Sequence, residues 1–79
     1  MRARVIVRLK PGVLDPQGEA VERSLHALGF AGATNVRVSK VIELDVDASD
    51  AAVARAMVTD MAEQLLRNPV IEVADVEVG

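Results

Sequence analysis

The chain has 79 residues, no cysteine, one histidine (His26), one aromatic residue (Phe30) and a formal net charge of −3. These features exclude disulfides, thiolate zinc sites, a Cys nucleophile and a His-rich metal site, and an acidic chain without stacking aromatics argues against nucleic acid as a partner. A domain this short buries only about 60% of the surface its unfolded form exposes, yet 51% of its residues are hydrophobic, so some apolar surface is left for partner chains.

In chain order, residues 3–10 alternate. Ala3, Val5, Val7 and Leu9 face one way and Arg2, Arg4, Arg8 and Lys10 the other, with Ile6 the exception on the basic face; this is strand periodicity. Pro11-Gly12 ends the strand. Asp15-Pro16 reads as the N-cap and first residue of a helix over 16–28, with Val21, Leu25 and Leu28 as its apolar stripe and Gly29 as its stop. Over 36–47, Val36, Val38, Ile42, Leu44 and Val46 keep one parity, broken only by Lys40. One long strand is the simpler account; a hairpin turning at Ser39-Lys40 is the alternative.

Ser49 caps a second helix that runs to Arg67, with Val53, Met57, Met61 and Leu65 repeating every four residues as the packing stripe. Asn68-Pro69 stops it, with Asn68 suited to the left-handed position. A last strand covers 70–78, and the parity shift at Val73-Ala74 predicts a bulge or burial on both faces. The fold class expected is α+β: a single domain over 1–79, built as a two-layer sandwich in the order β-α-β-α-β, with both helices on one face of an antiparallel sheet. If the first and middle strands are neighbours, the basic face of one meets Glu43, Asp45 and Asp47 of the other as cross-strand pairs.

Chemistry is sparse. Ser24, Ser39 and Ser49 lack a nucleophile-elbow context, and Ser24 and His26 point in different directions on a helix, so His26 reads as a surface or interface residue. Lys10-Pro11-Gly12 is not a phosphate loop. Glu19 with Glu22, and Glu43 with Asp45 and Asp47, read as solvated faces before weak cation sites. No run of apolar residues approaches the roughly 18 of a membrane span, and Met1-Arg2-Ala3-Arg4 does not open a secretory signal. No membrane contact and a cytoplasmic location are expected.

Two segments carry a specific pattern. Lys10-Pro11-Gly12-Val13-Leu14-Asp15-Pro16-Gln17-Gly18, followed by Leu25-His26-Ala27-Leu28-Gly29-Phe30, resembles the amino-terminal signature of the PurS family, the small-subunit family of phosphoribosylformylglycinamidine synthase. Leu65-Leu66-Arg67-Asn68-Pro69-Val70-Ile71-Glu72 is similar to its carboxy-terminal signature, and Val36 to Leu44 to its middle strand. Ser39 stands where the family usually has Gly, and the tail lacks the family's frequent aromatic.

The resemblance implies a subunit without catalysis or cofactors of its own, in an assembly that makes formylglycinamidine ribonucleotide from formylglycinamide ribonucleotide, glutamine and ATP. It implies a large subunit holding ATP and Mg, a glutaminase subunit, and self-association of the small subunit as a homodimer or tetramer that helps ammonia pass between the other two. The candidate docking residues are Val13, Leu14, Asp15 and Gln17 in the first segment and Asn68, Pro69, Val70 and Ile71 in the second. Ile6 and Val41 are candidates for burial between copies. The rival reading is a small ligand-sensing domain that binds an amino acid at a dimer interface.

Overall fold

Period-two alternation of apolar and basic residues builds the central strand of the fold. In the computed structural model, which describes residues 1–79, β1 spans Arg2–Leu9 and is flanked on both sides by antiparallel partners. One partner is β2 (Lys40–Asp45) and the other is β3 (Glu72–Val78), giving the sheet order β2-β1-β3. The helices are α1 (Pro16–Ala27) and α2 (Ala51–Met61), the latter running on into a π-helical turn over Ala62–Leu66. The α+β class, the antiparallel sheet and the β-α-β-α-β order are as expected.

The sheet's inner face carries the core. Ala3, Val5 and Val7 of β1 are buried together with Val46 and with Ala54, Val58 and Ala62 of the second helix. Ile42, Leu44, Ala74, Val76 and Val78 pack around them. Fully burying a valine contributes roughly 1.5–3 kcal/mol, so Val5, Val7 and Val58 anchor this layer. The helix contacts the sheet through its Ala54-Val58-Ala62 edge, not through Val53, Met57, Met61 and Leu65 as the four-residue repeat predicts. Small residues let helix and strands approach closely, and Val53 and Leu65 are left 52% and 83% exposed.

Helix α1 is placed differently from α2. It contributes nothing to the core and makes no substantial contact with the sheet, and Leu28, its C-cap, is 73% exposed. Together with residues 30–39 it forms an arm. The radius of gyration is 15.9 Å and the long axis 49 Å, against about 12 Å for the radius of a compact chain of this length. Within one chain, α2 alone covers the sheet.

Other boundaries also shift. The stretch 36–47 is neither one long strand nor a hairpin: only Lys40–Asp45 lies in the sheet. Residues 36–39 run past its end because Val36 and Val38 give their amides to side chains of the arm and not to a strand. β3 shows no bulge, because its register against β1 is continuous from Ala3↔Val78 to Leu9↔Glu72. The parity shift instead puts Val73 on the outer face. Asp50, not Ser49, caps α2, accepting from the Ala52 and Val53 amides. Asn68 is not left-handed; the positive-φ residue outside glycine is Asn35. Gly29, at φ 97°, ends α1 as expected.

Candidate functional site

The segment after β1 is organised around one carboxylate. Asp15 is only 5% exposed. One of its oxygens accepts from the Gly18 amide at 2.9 Å, capping α1, and the other accepts from the Val38 amide at 2.9 Å. These two bonds, that from Val38 foremost, hold the Asp15 pKa below its usual value, with Arg37 adding to the effect. Gly18 makes the approach possible: a Cβ there would stand 2.3 Å from the Val36 carbonyl oxygen. Glu22, one turn along, accepts from the Val36 amide at 3.1 Å. Asp15 therefore positions the arm and does not present itself to a partner.

The two signature segments meet. The Lys10 amide donates to the Ile71 carbonyl at 2.8 Å and the Lys10 ammonium to the Pro69 carbonyl at 2.9 Å. Arg37 donates to the Val13 carbonyl at 2.9 Å, pinning the loop from the arm side. The Asn68 to Ile71 turn is closed by its own groups: the Asn68 side chain accepts from the Val70 amide, and the Asn68 carbonyl accepts from the Ile71 and Glu72 amides. Arg67 braces it, bonded to Glu63 and to the Glu72 carbonyl. Leu14, Val70 and Ile71 are exposed at this end of the sheet, with Leu14 and Val70 at 68% and 77%. Gln17 is exposed nearby and Val13 is half-buried.

Ile6 and Val41 lie apart from that end, directly opposite each other on the outer face of the sheet. Around them the expected cross-strand charges pair. Arg2 reaches Glu43 at 3.0 Å and Asp45 at 3.4 Å, Arg4 lies between Glu43 and Glu77, and Arg8 pairs with Asp75. Asp47 joins none of these pairs. Glu22 is committed to the Val36 amide, and no group of His, Cys, Asp or Glu side chains is arranged to hold a metal ion. His26 is exposed at the far end of α1, its Nε2 2.6 Å from the Ala33 carbonyl oxygen. No helix is long and apolar enough to cross a membrane.

Sequence reasoning missed Gly18, Glu22 and Arg37. Gly18 left a signal: a glycine inside a helix costs about 1 kcal/mol relative to alanine and marks a close approach. Glu22 and Arg37 left none, since their partners are backbone groups distant in sequence.

Comparison with known proteins agrees with the motif pattern. The PurS family, described as phosphoribosylformylglycinamidine (FGAM) synthase, matches residues 2–79. The phosphoribosylformylglycinamidine synthase subunit PurS of Synechocystis is 48% identical over 69 residues, covering 87% of this chain and 69% of that protein. The crystal structure of PurS from Methanocaldococcus jannaschii, a subunit of formylglycinamide ribonucleotide amidotransferase in purine biosynthesis, superposes with a TM-score of 0.90. It is 35% identical, over 99% of this chain and 94% of that one. A chain in the PurLQS structure from Thermotoga maritima gives a TM-score of 0.85 at 34% identity, over 96% and 94% of the two chains. The chain therefore belongs to the PurS family and is a small subunit of phosphoribosylformylglycinamidine synthase, in purine biosynthesis.

Proposed function

We propose that the chain acts in the cytoplasm as an assembly subunit. It bridges the ATP-dependent large subunit and the glutaminase subunit so that ammonia passes between them, while ATP and Mg stay with the large subunit. The observation that carries this reading is the convergence of the two signature segments, which puts Leu14, Val70 and Ile71 on one end of the sheet. That end is braced by Arg37 and Arg67 and so is formed in advance of docking, which lowers the entropy cost of association.

Self-association is the second half of the proposal. One chain leaves two apolar stripes uncovered: Val21 on α1 with Leu28 and Phe30 just past its end, and Val53 and Met57 on α2 with Leu65 in the π-helical turn that follows it. The arm is tied outward and does not fold back over its own α2. A second copy related by a two-fold axis satisfies both stripes at once, each arm lying on the other copy's helical layer. A homodimer is the smallest assembly that does this, and the paired outer face with Ile6 and Val41 is available to a tetramer.

The test is reconstitution. Glutamine-dependent formylglycinamidine ribonucleotide synthesis by the large and glutaminase subunits should require this chain, and ammonia-driven synthesis should not. Equal glutamine-dependent rates with and without the chain overturn the reading.

A further inference from the structure

Lys40 breaks the apolar parity of its strand, and the docking proposal gives it no role. It lies opposite Val7 across β1, and Glu72 lies opposite Leu9, so both charges sit on the inner, otherwise apolar face of the sheet. They border a cleft of about 270 Å³ at the junction of arm and sheet. Val7 and Leu9 lie in its floor, and Gln17 and Ser39 line its arm side. The sheet's arginines are all ion-paired. Lys40, the remaining sheet cation, has neither a carboxylate within ion-pair distance nor a hydrogen bond, and it does not pair with Glu72. The Gln17 amide and Ser39 hydroxyl are likewise uncommitted. Two charges of opposite sign held apart over an apolar floor match a small molecule that carries both.

We propose that this cleft binds a free α-amino acid. Its carboxylate lies against the Lys40 ammonium, Gln17 and Ser39, its ammonium against Glu72, and its side chain over Val7 and Leu9. Asp15 also borders the cleft. Both of its oxygens already accept backbone amides, but its charge adds to that of Glu72. Two carboxylates against one ammonium disfavour phosphates and other anions, while Lys40 disfavours simple amines. A zwitterion satisfies both.

The experiment is thermal unfolding of the intact chain with each proteinogenic L-amino acid in turn, titrated through the millimolar range, and with acetate and ethylamine as half-ligands. At least one amino acid should raise Tm saturably, and neither half-ligand should match it. Lys40→Met and Glu72→Gln should each move the half-saturation concentration up by about tenfold or more, the loss of a hydrogen bond to a charged group. One Glu72 carboxylate oxygen accepts from the Asn68 amide at 2.7 Å; Glu72→Gln keeps a side-chain oxygen for that bond, so it tests the charge and not the fold. No saturable rise with any amino acid, an equal rise with acetate or ethylamine, or unchanged half-saturation in both variants overturns the proposal.

Discussion

The sheet layer buries Val5, Val7 and Val58 completely or almost so, whereas the arm buries only Asp15 and Gly18. The first region is held by apolar area removed from water, a force that needs no particular geometry. The second is held by a carboxylate shared between two amides, a second carboxylate on a third amide, and a glycine that lets two backbones touch. Such contacts fix direction well but bury little. The arm is thus oriented by its own residues and left short of apolar burial, which is the condition of an element awaiting a partner.

The largest predicted effect breaks the first region. Val58→Asp places an unpaired charge in a fully buried site, and the chain should lose its cooperative thermal transition by circular dichroism. Val5→Ala is milder, with a cost on the order of 2 kcal/mol measured by urea denaturation.

Next comes the latch. In Gly18→Val the new side chain collides with the Val36 carbonyl. Amide exchange should lose protection at Val36 and Val38 while β1 keeps its own, because the two regions are stabilised separately. Equal loss in both would show that they are one cooperative unit.

Asp15 sharpens the same contrast through pH. Its folded-state pKa is lowered, so its contribution is fully present above the unfolded-state value of 3.8 and is lost as pH falls through the folded-state value. Asp15→Asn should lower Tm at neutral pH and flatten the acid limb of the Tm-against-pH curve below that value. The smallest effect belongs to the exposed ion pairs. Asp75→Asn should cost no more than about 1 kcal/mol by urea denaturation, and less in high salt.

How far the sequence could be read follows the same division. β1 was legible because its alternation is broken only at Ile6, and the charge pairing followed because Arg2 faces Asp45 and Arg4 faces Glu43 in register. The Asp15 cap and the Gly29 stop were legible because capping is local. The burying face of α2 was misread, because a repeat of large apolar residues does not reveal that the Ala54-Val58-Ala62 edge packs closest. The run of 36–47 was misread because apolar parity persists through Val36 and Val38, where the partners are carboxylates of the arm and not a strand. Of the candidate docking residues, Val70 and Leu14 emerge exposed, while Asp15 is drawn inward by long-range bonds that no local pattern announces.

In the proposed assembly the arm serves copies of this chain and the braced end of the sheet serves the larger subunits. Sedimentation velocity of mixtures with the large and glutaminase subunits, using Leu28→Asp and Val70→Asp, tests it most directly. Val70→Asp should sediment alone as the wild-type oligomer yet fail to join the larger subunits, and Leu28→Asp should sediment alone as a monomer. If Val70→Asp enters the complex normally, or if Leu28→Asp remains an oligomer, the two surfaces do not divide the work in this way.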